Sequence, residues 1–336
     1  MNKAVILAGG QGKRMKAPIP KPMFHVLGEP MLEWVLGACE QAKLQKICVV
    51  TGYEAEQIKA YLGDRCETAY QAERLGTGHA VMQTMSFLEA DTDGNTLVLC
   101  GDAPFIDSET IENSLERHIA EHNAVTVITA NVADPSGYGR ILRTDSGIAG
   151  IVEDKDATDE QKLITEINSG CYWFRTLDLI ELLGKIGNDN AQQEYYLTDT
   201  IAIALNTNRR AGAFCSKNPD VVLGANDRKG LLALNTAART AVLNHHMTNG
   251  VGFSCTDGII IERSVKIGAG TEILPGTILR GNTVIGENCV IGPNCVIEDC
   301  EIGNAAKLNT MQAYQSKICD GAEIGPFELI RENKKI

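Results

Sequence analysis

The residues whose types most clearly suggest chemistry lie near the amino terminus, in the sequence LAGGQGKRM at residues 7–15. A short apolar run, AVI, precedes this glycine-rich turn, which carries two basic residues, Lys13 and Arg14. Glycines let a backbone approach phosphate groups closely, and basic side chains neutralise phosphate charge. The stretch therefore predicts a phosphate-binding loop but does not by itself say of which kind.

Two well-known glycine-rich motifs do not fit this loop. The dinucleotide fingerprint G-x-G-x-x-G needs a third glycine where Met15 stands. The P-loop pattern G-x-x-x-x-G-K-[ST] matches at Gly12 and Lys13. However, Leu7 occupies the position of its first glycine, and Arg14 replaces its final serine or threonine. The loop therefore belongs to neither class.

What remains is the pattern L-A-G-G-x-G-x-R-M followed by Lys21-Pro22. This pattern resembles the signature of nucleoside-diphospho-sugar pyrophosphorylases. Over about residues 3–331 the chain also resembles the bacterial bifunctional N-acetylglucosamine-1-phosphate uridylyltransferase/glucosamine-1-phosphate acetyltransferase family. The segments that carry this resemblance are, in order, YQAERLGTGHA, CGDAPFI, GYGRI, VEDKDAT, TEINSG, DNAQQEYYLTD, LGANDR and the repeat region from GVGF onward.

The resemblance implies uridylyl transfer from UTP to N-acetylglucosamine 1-phosphate, giving UDP-N-acetylglucosamine and pyrophosphate, with Mg²⁺ as cofactor. The sugar phosphate would attack the α-phosphorus in line, while Arg14 and Lys21 neutralise the departing phosphates. No general base is needed, since the second pKa of a phosphate monoester is about 6. Two alternatives stay open: transfer to another hexose 1-phosphate, and a non-catalytic subunit that binds sugar nucleotides.

The same resemblance implies roles for individual residues. Arg14, Lys21 and Asp102 would be catalytic, and Asp102 and Asn226 would hold Mg²⁺ through a carboxylate and an amide oxygen. Gln71 and the Gly76-Thr77 pair would read the uracil, and the sugar would contact a further group of three residues. The complete set of substrate-binding residues would be Leu7, Ala8, Gly9, Gly10, Lys21, Gln71, Gly76, Thr77, Gly101, Asp102, Gly139, Glu153, Asn168 and Asn226, of which Gly139, Glu153 and Asn168 form the sugar group.

The elements that must position these residues alternate between strands and helices up to about residue 225. Near-continuous apolar strands between amphipathic helices predict a Rossmann-like α/β domain with a mainly parallel sheet covered on both faces. Ligands bind at the carboxyl ends of such strands, where Gly9, Gly10, Gly52 and Asp102 fall. The predicted strands are residues 3–8, 46–52, 95–102 and 124–132, and the predicted helices are 30–43, 54–63 and 107–122, the last capped by Asp107 or Ser108.

After residue 250 the pattern changes to hexapeptide repeats, which predict a left-handed parallel β-helix of about four coils. Threonines and cysteines share one phase of the repeat, as fillers of a small-residue position. The spacing slips at Ile302 and resumes at Ile318, Ile324 and Ile330. The inward-facing residues before the slip are predicted to be Ile261, Ile267, Ile273, Leu279, Ile285, Ile291 and Ile297.

The composition narrows the possible partners and the compartment. A net charge of −12 argues against nucleic acid or an anionic membrane as the main partner. No run reaches the roughly 18 apolar residues of a membrane span, and the start lacks the features of a signal peptide, so we expect a cytoplasmic protein. Eleven cysteines with no metal-binding spacing are expected to be reduced, small buried side chains.

These patterns predict a nucleotidyltransferase domain over residues 1–226, a helical linker over 227–248 and a truncated β-helix over 249–336. The resemblance further implies a homotrimer assembled through the β-helix. Because the recognisable repeats stop near Ile330, we expect most of the acetyltransferase domain, and with it acetyltransferase activity, to be missing.

Overall fold

The computed structural model describes residues 1–145, 147–190 and 192–331, and it divides the chain into two compact units. The first unit contains Met1–Phe24 and Pro30–Leu231. The second contains the short stretch His25–Glu29 together with the chain from Leu232 onward. Among the described residues, no helix is long and apolar enough to cross a membrane.

A nine-stranded sheet forms the centre of the first unit, with β11-β7-β10-β6-β1-β4-β5 as its main order, β8 beside β10, and β9 beside β8. All neighbours along the main order run parallel except β10, which is antiparallel to both β6 and β7. The strands up to α9 are β1 (Asn2–Leu7), β2 (His25–Val26), β3 (Glu29–Pro30), β4 (Lys46–Thr51), β5 (Glu67–Tyr70), β6 (Asn95–Cys100), β7 (Val125–Asn131), β8 (Arg140–Thr144), β9 (Gly147–Val152), β10 (Glu166–Arg175) and β11 (Ala211–Cys215).

Apolar side chains are buried on both faces of this sheet. On β1, Ala4 and Ile6 enter one hydrophobic cluster while Val5 between them enters another. Successive residues of a strand point to opposite faces, so a strand buried on both sides needs an unbroken apolar run. The predicted α/β fold with a mainly parallel sheet is confirmed.

Helices flank the sheet, and several of them begin without a side-chain cap hydrogen bond. Asp107 is the N-cap of α5, because its side chain accepts a hydrogen bond from the backbone of Thr110 at 2.7 Å, as one of the two predicted caps requires. The helices are α1 (Met31–Gln41), α2 (Ala55–Leu62), α3 (Thr77–Met82), α4 (Met85–Glu89), α5 (Ser108–Ala120), α6 (Asp159–Lys162), α7 (Thr176–Leu183), α8 (Asp199–Asn206) and α9 (Arg228–Thr248).

The second unit contains three ladders of short parallel strands, as expected for the predicted left-handed β-helix. Four complete coils, β12–β14 to β21–β23, are followed by two strands of a fifth. The strands are β12 (Gly252–Phe253), β13 (Ile260–Ile261), β14 (Lys266–Ile267), β15 (Glu272–Ile273), β16 (Ile278–Arg280), β17 (Val284–Ile285), β18 (Val290–Ile291), β19 (Val296–Glu298), β20 (Glu301–Ile302), β21 (Lys307–Leu308), β22 (Gln312–Tyr314), β23 (Lys317–Ile318), β24 (Glu323–Ile324) and β25 (Leu329–Ile330).

The interior of the coils is filled almost as the repeats predict. Six of the seven predicted inward residues are buried and Ile267 is partly buried, while Thr271 and Cys289 occupy the small-residue position. The repeats were predicted to be interrupted between Ile302 and Ile318, but this predicted interruption was too long. Leu308 and Ala313 lie within it and continue the buried columns of the coils. Later coils are shorter, since some strand registers join residues 16 apart where earlier ones join residues 18 apart, and this shortening obscures the hexapeptide spacing.

The cysteines are all free, but the expectation that all are buried was wrong for some. Six are buried and four are partly buried, and Cys255 is exposed. The exposed thiol lies in the irregular stretch between β12 and β13, where the repeat pattern imposes no inward direction.

The stretch His25–Glu29 forms a two-stranded turn between β2 and β3 and is held by later parts of its own unit. Leu27 has a φ of 48° and is 5% exposed, and its N–H donates to the side chain of Asn235 on α9 at 2.9 Å. Gly28 has a φ of 88°, which strains any residue with a side chain, and a Cβ there would also lie 2.2 Å from the Glu262 carboxylate, so the turn favours glycine. Arg263 forms an ion pair with Glu29 at 2.6 Å.

Candidate active site

The glycine-rich loop begins where β1 ends, and backbone contacts with both neighbouring strands fix its start. Ala8 N donates to Val50 O at 2.8 Å, and Gly101 N donates to Leu7 O at 2.9 Å. A Cβ on Gly52 would lie 2.8 Å from the carbonyl oxygen of Gly9, so two loops at the ends of β1 and β4 touch through backbone alone. These contacts place the predicted nucleotide residues at the carboxyl edge of the sheet.

Two short 3-10 turns carry the basic residues of the loop. The first, Lys13–Met15, follows Gly12 in the left-handed conformation, and it leaves Arg14 exposed. The second, Lys21–Met23, is tied back to the loop by a hydrogen bond from Lys21 N to Gly10 O at 3.2 Å. Arg14 takes part in none of the ion pairs that the structure gives among the described residues, so its guanidinium is available to a ligand.

Lys21 joins the two predicted metal ligands. Its ammonium forms an ion pair with Asp102 and donates to Asn226 Oδ1 at 2.8 Å. Asp102 follows β6, whereas Asn226 lies more than a hundred residues later, just before α9. The backbone of the two loops is close at this point, because a Cβ on Gly224 would lie 3.2 Å from Asp102 O. The structure thus brings together three residues that the sequence places far apart.

Two oxygen donors that converge on one cation are also suited to a divalent metal ion. Asp102 supplies a carboxylate and Asn226 an amide oxygen, which are the hard ligands that Mg²⁺ prefers. The described residues contain no group of three or more His, Cys, Asp or Glu side chains that could hold a metal. A metal here would therefore take its remaining ligands from water and from substrate phosphates, as Mg²⁺ commonly does in phosphoryl-transfer sites.

The residues predicted to read the base lie beside the glycine-rich loop. Gln71 is 5% exposed; its amide nitrogen donates to Gly76 O at 3.1 Å, and its amide oxygen would lie 3.1 Å from a Cβ on Gly9. The hydroxyl of Thr77 accepts a hydrogen bond from Leu197 N at 3.1 Å. The fold therefore gathers Gln71, Gly76 and Thr77 next to the loop, and it also gives Thr77 a structural partner.

The three predicted sugar residues come together through strand pairing. Gly139 precedes β8 and Glu153 follows β9, and these strands run antiparallel with Arg140 opposite Val152. Asn168 lies on β10, and its N–H donates to Gly139 O at 2.9 Å. The pairing of β10 with β7 is irregular between Asn168 and Cys171, where the Asn168 side chain accepts from Gly170 N at 2.8 Å.

Of the three residues predicted to bind the sugar, Glu153 and Asn168 line a cavity of about 580 Å³. Leu7 and Thr77 line it as well, so it continues from the end of β1 to the predicted base-reading residues. The sequence analysis assigned no role to many of the residues that line this cavity. Several of them belong to the polar stretch DNAQQEYYLTD, which is one of the segments that carry the family resemblance. The lining residues without a predicted role include Cys100, Asp154, Asp156, Gly170, Tyr172, Asn190, Gln192, Glu194, Tyr196 and Thr198.

The electrostatics of this cavity are set by its carboxylates. Glu153 is exposed overall, but partial desolvation of its carboxylate, together with repulsion from Asp156, Asp199 and Asp154, raises its pKa above the ordinary value. Burial also raises the pKa of the Cys100 thiol well above its ordinary value. The thiol therefore stays protonated at neutral pH and acts as part of an apolar wall.

Comparison with family models gives two matches. Residues 3–221 match the nucleotidyl transfer family named "Nucleotidyl transferase". Residues 264–299 match the family named "Bacterial transferase hexapeptide (six repeats)". The first match covers the sheet, the glycine-rich loop and the cavity, and the second covers the central coils.

Curated relatives match nearly the whole chain, and each of the following is named "Bifunctional protein GlmU". The relative from Acetivibrio thermocellus is 40% identical over 99% of this chain and 72% of its own length. The relative from Geobacillus sp. (strain WCH70) is 43% identical with the same two coverages. The relative from Limosilactobacillus reuteri is 41% identical over 99% of this chain and 73% of its own length.

Proposed function

This chain belongs to the nucleotidyl transferase family and, within it, to the group of the bifunctional GlmU proteins, and from that premise we propose its reaction. It transfers a uridylyl group from UTP to N-acetylglucosamine 1-phosphate and releases pyrophosphate. The product is UDP-N-acetylglucosamine, a precursor for cell-wall synthesis, and Mg²⁺ is the cofactor. The observation that carries the proposal is the cluster of Lys21, Asp102 and Asn226 at the end of the glycine-rich loop.

In the proposed reaction a phosphate oxygen of the sugar phosphate attacks the α-phosphorus of UTP. The bond between the α-phosphorus and its bridging oxygen breaks, and pyrophosphate leaves with the electron pair. Lys21 and Arg14 stabilise the negative charge that builds up on the leaving group. The chain's task is to place the two phosphates in line, which is why the loop's backbone is fixed from both sides.

Asp102 and Asn226 are the residues that would hold the metal. A bound divalent ion supplies positive charge that two phosphate groups can share. Lys21 now occupies the space between the two oxygen donors, and its flexible stem lets the ammonium turn toward phosphate when substrate binds.

The sugar is proposed to occupy the cavity beside Gly139, Glu153 and Asn168. Glu153 accepts hydrogen bonds from sugar hydroxyls, and the Asn168 amide contacts a hydroxyl or the N-acetyl group. Residue 139 lies directly beside both side chains, because a Cβ there would be in ordinary contact with Glu153 at 3.5 Å and with Asn168 at 3.6 Å. Gln71, which carries both a donor and an acceptor, is proposed to read the uracil edge.

The β-helix is proposed to join three chains into a homotrimer. One of its three strand ladders, β13-β16-β19-β22-β25, presents an outward column that is mostly apolar. The same strands also carry Arg280 and Glu298 two positions after the apolar column, and the corresponding column of a second ladder contains the charged residues Lys266, Glu301 and Lys317. The apolar column consists of Ile260, Ile278, Val296, Gln312 and Leu329.

A pyrophosphate-release assay with UTP and a panel of sugar 1-phosphates tests the reaction. We expect turnover to be highest with N-acetylglucosamine 1-phosphate, to require Mg²⁺ and to stop with EDTA. A preference for another hexose 1-phosphate would replace the proposed sugar but keep the reaction class. Binding of UDP-N-acetylglucosamine without turnover of any pair would instead support a non-catalytic subunit.

A further inference from the structure

The start of helix α9 contacts the phosphate-binding segment in a way that the roles described so far do not explain. Arg228 Nε donates to the carbonyl oxygen of Met15 at 3.1 Å, and the guanidinium carbon lies 4.9 Å from the centre of the Phe24 ring. Met15 is 1% exposed and Phe24 is 3% exposed, so both partners are fixed in the protein interior. Arg228 therefore contacts the residue directly after Arg14 and the residue three positions after Lys21.

The segment from Gly12 to Phe24 has little regular structure of its own. Its two 3-10 turns are closed by the short-range bonds Met15 N to Gly12 O and Phe24 N to Lys21 O. Such turns have poorer hydrogen-bond geometry than an α-helix. Pro18 and Pro20 lie between the turns, and proline has no N–H to donate. Contacts from outside the segment must therefore fix where its basic side chains point.

We propose that Arg228 is a positioning residue for nucleotidyl transfer, because it holds the segment that presents Arg14 and Lys21 to the leaving phosphates. The proposal rests on the proposed function of the site. Asn226, two residues earlier, accepts a hydrogen bond from the Lys21 side chain. The same short stretch therefore contacts both the Lys21 ammonium, through Asn226, and the backbone of the segment that carries it, through Arg228.

The chemistry of arginine fits this role, and the backbone at this point is well held. A guanidinium can donate a hydrogen bond in its plane while its face stacks on an aromatic ring, whereas a lysine ammonium can donate but cannot stack flat. Arg228 is the first residue of a 21-residue helix. Asp227 holds the first turn of that helix, because its carboxylate accepts a hydrogen bond from Gly230 N at 2.9 Å.

The test compares Arg228→Gln with Lys229→Gln in the full chain. Both changes remove one positive charge from an exposed side chain at the start of α9. For Arg228→Gln we expect faster amide hydrogen exchange over residues 12–24 without substrate. We also expect a fall in kcat/KM for UTP of about 10- to 100-fold, because a small misplacement of catalytic groups has effects of this size. The KM for the sugar phosphate should change by less than about twofold, and Lys229→Gln should match the wild type.

A second variant separates positioning from direct contact with substrate. Phe24→Leu removes the stacking surface but keeps the charge of Arg228, so it should lower kcat/KM for UTP partially. The double variant should then lose less than the product of the two single effects, since both act through one contact. Additive losses, or a loss in Arg228→Gln with unchanged hydrogen exchange, would mean that Arg228 acts on the substrate itself and would overturn the proposal.

Two further outcomes are decisive. Equal losses for UTP and sugar phosphate, together with a lower melting temperature, would show a general structural role and would overturn the proposal. If the wild-type chain turned over no UTP, the proposed function would fall. The hydrogen-exchange comparison would still decide in that case whether Arg228 holds the segment, because it needs no substrate.

Discussion

Two aspartates near the end of β6 illustrate how residues of one type differ in role. Asp102 pairs with Lys21 beside the glycine-rich loop, whereas Asp107 caps α5 and accepts a second hydrogen bond from Asn218 at 2.8 Å. One carboxylate therefore serves the proposed chemistry and the other serves the fold. The two positions make a matched pair for mutation.

We predict that Asp102→Ala lowers kcat by on the order of 100- to 1000-fold, as expected for removal of a group that stabilises charge at the reacting phosphates. Its melting temperature should stay close to that of the wild type, because the side chain is partly exposed. Asp107→Ala should do the reverse, costing about 1–2 kcal/mol of stability while kcat stays near the wild-type value. Steady-state kinetics and thermal unfolding of both variants check this. Near wild-type turnover in Asp102→Ala would contradict the metal and catalytic assignments.

The raised pKa of Glu153 predicts how sugar binding responds to acid. As the pH falls toward that raised pKa, the carboxylate gains a proton at a higher pH than an ordinary glutamate would. A protonated carboxyl is a weaker acceptor for sugar hydroxyls, so the KM for the sugar phosphate should rise on the acid side. Glu153→Gln should raise this KM at neutral pH and flatten its pH dependence.

The substrate phosphate also titrates in this range, with a second pKa of about 6. That titration is common to the wild type and Glu153→Gln, so only the difference between their two KM profiles reports Glu153. Parallel profiles would contradict a contact between this carboxylate and the sugar.

At this scale the sequence predicts part of the site. The pattern of buried strands places Asp102 at the end of β6, whereas Lys21 lies in a 3-10 turn well after β1, so the proximity of these two residues rested on family resemblance. The need for glycine at position 52 could not be predicted, because it arises from a backbone approach to Gly9, which is distant in the sequence. The pairing of Asn226 with Asp102 rested on family resemblance for the same reason.

At the scale of the elements, two threonines at the small-residue position of successive hexapeptide repeats in the β-helix, Thr271 and Thr277, differ in their hydrogen bonding. Thr271 Oγ1 donates to Gly286 O at 2.8 Å and accepts from Cys289 N at 3.0 Å. Thr277 is equally buried, but its hydroxyl has no hydrogen-bond partner among the residues the structure describes. The repeat sequence treats the two positions alike, and the structure separates them.

We therefore predict opposite results for the same isosteric change. Thr271→Val should destabilise the protein by about 1–3 kcal/mol, because it leaves the buried N–H of Cys289 and the partly buried carbonyl oxygen of Gly286 without this partner. Thr277→Val should be neutral or slightly stabilising, since it removes a hydroxyl that is buried without compensation. Chemical denaturation of each variant measures the difference. Equal destabilisation by both would show that the Thr277 hydroxyl does have a partner.

The types of the helices and strands could be predicted from hydrophobic periodicity, but two features of their arrangement could not. The orientation of β10 against β6 and β7 depends on the connections around it, which are invisible to a pattern of apolar residues. The shortened coils after Ile302 also break the regular spacing, although Leu308 and Ala313 keep the interior filled. Hydrophobic spacing identifies an element when its repeat is constant, and loses it when residues are removed at the corners.

For the whole molecule, the apolar column on the β-helix predicts how assembly should respond to charge. Val296→Glu places a carboxylate in the middle of that column, and a three-fold assembly through this face would bury one such charge per chain. We expect the wild type to be a trimer at micromolar concentration and this variant to dissociate. Val284→Glu, on a different ladder, is the control and should remain a trimer. Multi-angle light scattering checks all three proteins, and a monomeric wild type would contradict the proposal.

Two of the predictions made from the sequence concern the organisation and the activities of the whole chain. The predicted domain limits, and the expectation that acetyltransferase activity is missing, stay predictions. A thiol-release assay with acetyl-CoA and glucosamine 1-phosphate would test that expectation directly. Robust turnover would contradict it.

The turn at His25–Glu29 has a consequence for the order of events during synthesis. Leu27 is translated 208 residues before Asn235, the residue that binds its backbone. At about 5–20 residues per second, the ribosome needs roughly 10–40 s to make the intervening chain. During that interval the backbone N–H of Leu27, a residue that is 5% exposed in the folded protein, lacks its native acceptor on α9. Ribosome-bound chains arrested before residue 235 should therefore be cut by protease near Leu27, and chains arrested well after it should be protected.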